Sequence, residues 1–283
     1  MSLSPTEPTL ILSDLHLGHR ASRIKDPEQL TPVFQGSSSI IFNGDTAEMR
    51  HTTDRPIGRK LAAELARICH QEGKKAFFVT GNHDPTVSNI NHLDLHQGAV
   101  LVTHGDILFL GVAPWSRAAK HYLMKHREIL GDLGPEDFTD FEKRLLATKR
   151  TAIELELIEP ALTDDRWPGL QLFLRQFWPP FRPLMILKAW LETPGKAANL
   201  ARVFRPQARY ILVGHTHFPG VWKIDPRIVI NTGGFVACFG ACAAIIDSKR
   251  IELRQVDSHK RKFVLGKRLA GYTIDPLRPT DGF

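Results

Sequence analysis

Apolar residues in this chain come in short runs that stop abruptly at polar clusters. Thr9-Leu-Ile-Leu-Ser13 runs into Asp14, Ser39-Ile-Ile-Phe42 into Asn43-Gly44-Asp45, and Ala76-Phe-Phe-Val-Thr80 into Gly81-Asn82-His83-Asp84. Short apolar runs closed by a turn signal predict buried strands. Between the last two, Leu61, Leu65 and Ile68, with Ala62, Ala66 and Cys69, recur at helical spacing and predict a helix over 57–72. Strand, helix, strand predicts a βαβ unit and a sheet covered by helices. In such sheets the polar groups at the strand C-termini gather along one edge, where ligands bind. Ala99-Val-Leu-Val-Thr103 delivers His104-Gly105-Asp106 in the same manner.

From Arg117 to about Arg205 helical patterns replace strand patterns, with turns at Gly134-Pro135, Trp167-Pro168-Gly169 and Pro194-Gly195. This segment reads as a helical insertion. Strand patterns then return: Tyr210–Val213 leads into Gly214-His215-Thr216-His217, and 221–224, 228–230, 235–246 and 250–256 predict meandering β-structure. The expected organisation is a core of 1–116 and 206–266, an insertion or lid of 117–205, and a basic, loosely held tail of 267–283.

Composition narrows the picture modestly. With 42% hydrophobic and 24% charged residues, disordered, collagen-like and coiled-coil chains are excluded. The polar start lacks the basic and apolar regions of a secretory signal. The longest apolar run, Phe235 to Ile246, falls short of the roughly 18–20 residues that span a membrane. Cys69, Cys238 and Cys242 are odd in number and form no C-x-x-C pair, which argues against a disulfide framework or a zinc ribbon and for a cytoplasmic setting. The net charge of +7 favours an anionic partner: a phosphate ester, a nucleic acid or an anionic lipid.

The chemistry lies in five polar blocks at strand ends: Asp14-Leu-His16, Gly44-Asp45, Gly81-Asn82-His83-Asp84, His104 and Gly214-His215-Thr216-His217. Taken singly, each is an ordinary hydrogen-bonded surface or turn. Together they offer carboxylates, imidazoles and an amide, a mixed oxygen and nitrogen set suited to Mn, Fe, Zn or Ni rather than to Ca or Mg. If Asp14-x-His16 and His215-x-His217 are extended, both side chains of each pair point to the same side. Gly44, Gly81 and Gly214 leave room for close backbone approach.

In that order the blocks resemble the calcineurin-like metallophosphoesterase superfamily, whose D-x-H, G-D, G-N-H-D/E, H and G-H-x-H pattern is matched over the N-terminal part to about Asp106 and again from about Tyr210 to Ile246. The resemblance implies an α/β fold, a β-sandwich flanked by helices, around two divalent metal ions, with manganese foremost. One ion would be held by Asp14, His16, Asp45 and His217. The other would be held by Asp45, Asn82, His104 and His215, with Asp45 bridging. The implied reaction is phosphoester hydrolysis by a hydroxide bridging the metals. His83 would stabilise the developing charge or protonate the leaving oxygen, and Asp84 would orient its ring; the plainer role for Asp84 is a turn before Pro85. His19 is equally a substrate contact or a solvated loop residue.

Three other functions remain in view: a nuclease, a cyclic nucleotide phosphodiesterase and a non-catalytic scaffold. Basic charge alone does not favour nucleic acid, and a scaffold has no need of a complete ligand set. The oligomeric state is not legible in the sequence. The insertion concentrates apolar and aromatic residues over 167–191, with Arg175, Arg182 and Lys188 interleaved. It forms either the lid's own core or subunit contact, or a surface for acyl chains in which Phe177 and Trp178 meet the chain and Arg175 and Arg182 the head group. The second reading brings peripheral contact with anionic membrane lipid. The inserted position resembles the UDP-2,3-diacylglucosamine pyrophosphatase branch, from which the chain departs at His83, where that branch carries Arg.

Overall fold

Alternation within single strands decides the layering. The computed structural model describes residues 2–3, 7–116, 118–154, 181–236 and 240–275. In β2 (Thr9–Leu12), Leu10 and Leu12 face one cluster and Ile11 faces another. β3 (Ser39–Asn43) repeats this, with Ile40 and Phe42 on one side and Ile41 on the other. β2, β3 and β4 (Lys75–Val79) pair in parallel. Against their outer face lie α1 (Arg55–Gln71), through Leu65, Ile68 and Cys69, and a 3-10 helix, Pro27–Phe34, through Leu30, Val33 and Phe34. Asp26 caps that short helix by accepting from the Glu28 N–H.

The other edge of this sheet is built from the far end of the chain. β10 (Ala241–Ile246) runs antiparallel to β2, and β11 (Arg250–His259) and β12 (Lys262–Thr273) follow as a long hairpin. Two expectations change here. Among the described residues of the run 235–246, the strand is Ala241–Ile246, while Phe235 packs edge-on against Phe263. Residues 267–273, expected in a loose tail, are strand. Their pattern is weak because Lys267, Arg268 and Leu269 lie exposed on an edge strand.

The second sheet has the order β1-β5-β6-β7-β9-β8, from β1 (Ser2–Leu3), β5 (His92–Leu95), β6 (Val100–Thr103), β7 (Tyr210–Val213), β8 (Gly220–Ile224) and β9 (Arg227–Asn231). Val100, Val102, Leu212 and Ile230 meet Ile11, Ile41 and Val79 between the sheets. Each such side chain contributes about 1.5–3 kcal/mol on burial. The opposite face, Leu101, Ile211, Val213 and Val229, packs on the insertion: on Phe141 and Leu145 of α3 (Phe141–Glu154), and on Ala189, Ala197, Ala198 and Ala201 of α4 (Arg182–Phe204). α2 (Ala119–Gly131) lies beside α3. The described part of the insertion therefore shares the core of the second sheet. No helix among the described residues is long and apolar enough to cross a membrane.

Candidate metal centre

Parallel pairing of β2 with β3, of β3 with β4 and of β6 with β7 brings five strand ends to one edge of the sandwich. The turns there are unusually tight. A Cβ on Gly81 would stand 2.1 Å from Asp45 Oδ1, and one on Gly44, at φ +81°, would stand 2.4 Å from the His104 ring. The pairs Asp14-x-His16 and His215-x-His217 are not extended, contrary to the reading from alternation. Asp14, His16, Asp45, His215 and His217 all have left-handed backbones, with φ of 54°, 49°, 51°, 67° and 55°. Such conformations cost of order 1–3 kcal/mol each and persist where the surroundings over-determine them. Here cross-loop bonds do so: Asp14 N–H to Gly44 O (3.1 Å), His16 N–H to Asp45 O (2.9 Å) and His215 N–H to the Asp14 carboxylate (3.0 Å).

Three groups of donor atoms result among the described residues: two share Asp45, and the third is His16, Glu48 and His83. In the first are Asp14, His16, Asp45 and His217, whose ligand-type atoms all lie within 4.8 Å of one another. His217 Nε2 is 3.1 Å from Asp14 Oδ1 and 3.1 Å from His16 Nε2, which is 3.7 Å from Asp45 Oδ2. The second group is Asp45, His104 and His215. Asn82 joins it, with Oδ1 3.3 Å from His104 Nε2, itself 3.2 Å from Asp45 Oδ2. All seven residues named from sequence are thus brought together. Backbone carbonyls set the rings: His104 Nδ1 lies 3.0 Å from Asn43 O, and His215 Nε2 lies 3.0 Å from Val112 O. Donation there leaves His104 Nε2 and His215 Nδ1 for the centre. Val112, a β-branched residue at φ 64°, is itself an outlier held at the site.

The electrostatics suit a cation. Burial alone would raise the Asp45 carboxyl, but the imidazoles of His104, His83 and His16 outweigh it and hold Asp45 well below the usual carboxylate range. Burial would lower His104, yet Asp45 beside it pushes the ring up to about 10. The ring then carries the proton that a cation held between the two side chains would displace. His215 is pushed down to about 4 by burial and by His104, which favours the neutral, ligating form. These buried carboxylates and imidazoles fit a borderline divalent metal better than a hard, all-oxygen one.

The expected pairing of Asp84 with His83 is not formed. Asp84 accepts instead from the backbone N–H groups of Gly81 (2.8 Å), Asp45 (3.0 Å) and Thr46 (2.7 Å), tying two loops together. Burial and the neighbouring Asp45 push it up to about 6. The carboxylate on His83 is Glu48, whose Oε2 is 2.8 Å from Nδ1. Glu48 is 4% exposed. Burial opposes charge on His83, but Glu48 and then Asp45 raise the ring above the usual histidine value. The missed signal was a carboxylate three positions after Asp45. His83 and His217 are the more exposed members, at 17% and 22%, and mark the open side of the centre.

His19 is half-buried near that opening, its ring 5.9 Å from His16 and pushed down to about 4 by burial. Its Nδ1 accepts from the Ala21 N–H. The Arg182 Nε–H donates to the Trp115 carbonyl, and the Trp115 ring lies 5.0 Å from His215. Arg175, Phe177, Trp178 and Cys238 lie outside the described residues. Cys69 and Cys242 are buried, free thiols, pushed up by burial to about 12 and 11.

A family model described as calcineurin-like phosphoesterase matches residues 7–219. No curated protein matches the chain. Among solved structures, vacuolar protein sorting 29 from Cryptosporidium parvum is 11% identical, covering 95% of this chain and 99% of its own, with a TM-score of 0.46. Yfce, a phosphoesterase from E. coli, is 14% identical, covering 95% of this chain and 100% of its own, with a TM-score of 0.42.

Proposed function

The chain belongs to the calcineurin-like phosphoesterase family, and from that premise we propose that it hydrolyses phosphate esters at a centre for two divalent transition-metal ions. The observation that carries this reading is the pair of donor groups sharing Asp45, with His83 beside them. Asp14, His16, Asp45 and His217 would hold one ion, and Asp45, Asn82, His104 and His215 the other. Bound there, the ions supply charge neutralisation for phosphoryl oxygens and a nucleophile at neutral pH.

The chain's own residues do the rest. With Nδ1 engaged by Glu48, His83 keeps Nε2 for the substrate. A cationic His83 stabilises charge on the phosphoryl group or hands its proton to the leaving oxygen, then regains one from solvent. Glu48 holds the ring in orientation and favours its charged form. The substrate class we favour carries an apolar group. Leu184, Leu187 and Leu191 form an exposed row on α4 and continue the aromatic stretch read from sequence. The same row supports contact with a lipid surface.

The test is manganese-loaded protein against bis-p-nitrophenyl phosphate, nucleotides, nucleotide-sugars and acylated phosphoesters with their deacylated counterparts. His83→Ala should keep both ions and lower kcat by roughly 10²- to 10⁴-fold. Protein that carries two ions and hydrolyses none of these substrates overturns the reading. Equal rates on acylated and deacylated esters overturn the substrate class alone.

A further inference from the structure

Lys149 belongs to the insertion, yet it is 4% exposed. Its neighbours on α3, Lys143 and Arg150, point to solvent. A buried ammonium is retained only where it is paired and hydrogen-bonded. Lys149 Nζ meets that condition by donating to the Thr80 carbonyl at 2.8 Å and to Asp106 Oδ2 at 2.6 Å. Thr80 immediately precedes the Gly81-Asn82-His83-Asp84 loop, and Asp106 follows His104 by two residues. The first loop leaves β4 of one sheet and the second leaves β6 of the other. One side chain of the insertion thus bridges the loops that carry Asn82 and His104, whose donor atoms lie 3.3 Å apart.

α3 is also fastened at its start. Glu142 Oε1 lies 2.8 Å from His92 Nδ1 of β5, and Phe141 stacks on Phe204 at 5.2 Å between ring centroids. A helix gripped at its first turn and again two turns later has little freedom to drift.

We propose that Lys149 is a positioning residue that sets the separation of Asn82 from His104, so that the inserted helix is a working part of the second donor group. This rests on the two-ion reading above for its consequence, but not for the clamp itself. The first donor group is held mainly by bonds among the β2, β3 and β7 loops; it meets the 81–84 loop through the shared Asp45, whose Oδ1 accepts from the His83 N–H at 2.8 Å, and should depend on Lys149 less than the second.

The experiment compares Lys149→Met with the double variant Lys149→Met/Asp106→Asn, which removes the clamp without leaving the Asp106 charge unpaired. Amide hydrogen exchange is followed over 81–84 and 105–109, and over 14–19 as the control. Manganese binding is measured by calorimetry on the same proteins. Both variants should show at least tenfold faster exchange in the first two segments and parental exchange in the control. One of the two manganese sites should weaken by roughly 10- to 100-fold, the range for loss of a partner behind a ligand, and the other, which shares only Asp45 with the clamped loops, should weaken distinctly less. If Lys149→Met does not fold, the double variant alone decides. Parental exchange over 81–84 and 105–109 in a folded variant overturns the proposal, as does equal weakening of both sites. A parent that binds fewer than two ions overturns the two-ion reading instead, and the exchange data still decide the clamp.

Discussion

Replacing Glu48 by glutamine keeps the shape of the side chain and removes its charge from His83 Nδ1, 2.8 Å away. A hydrogen bond to a charged partner contributes about 1.5–3 kcal/mol, and a neutral one about 0.5–1.5 kcal/mol. Glu48→Gln therefore forfeits about 1 kcal/mol of support for the cationic ring, a fall in kcat of roughly fivefold to tenfold. Glu48→Ala forfeits the whole bond and costs roughly 10- to 100-fold. The direction in pH follows from the same contact. Glu48 is the foremost group raising His83, against the effect of burial. A step that needs charged His83 is lost as pH rises through the ring's pKa, and without Glu48 that pKa falls. The alkaline limb of the kcat profile should move to lower pH in Glu48→Gln, with the metal content of the parent. The assay is a pH–rate profile on bis-p-nitrophenyl phosphate beside elemental analysis of each protein. A parental profile, or a rate loss that merely tracks metal loss, refutes the assignment of Glu48 as the partner of His83.

Asp84→Asn separates loop-tying from ring orientation. An amide NH₂ facing one of three backbone N–H donors costs about 1–3 kcal/mol, so Tm should fall by several degrees in calorimetry while the alkaline limb of the pH profile stays in place. Gly81→Ala places a Cβ 2.1 Å from Asp45 Oδ1. The variant should fold but lose metal, and elemental analysis showing full occupancy would contradict the close packing described here.

The centre was legible because its residues sit where apolar runs end. Leu10, Ile40 and Val79 mark strands unmistakably, which places Asp14, Asp45 and Asn82 on one edge from the sequence pattern alone. How they converge was not legible. Left-handed backbones at Asp14, His16 and Asp45 are imposed by bonds between loops distant in sequence, and no local propensity announces them. Glu48 escaped notice because it lies in a loop rather than at a strand end. Lys149 escaped because, on sequence, it is indistinguishable from the solvated Lys143 and Arg150 of the same helix. β12 escaped because an edge strand with one open face dilutes its apolar positions with Lys267 and Arg268. The partition of strands into two sheets depends on β10 pairing with β2 across more than two hundred residues, a contact that pattern alone does not specify.

On the proposed reading, Asp45 would serve both ions and hydrolysis would depend on both. Manganese is titrated into the purified chain and into Asp45→Asn, and bound metal and hydrolysis of bis-p-nitrophenyl phosphate are read from the same samples. Two ions per parent chain, activity that appears with the second, and loss of both occupancy and turnover in Asp45→Asn are expected. Full activity with a single ion, or an Asp45→Asn variant that still binds two and turns over at the parental rate, would contradict it.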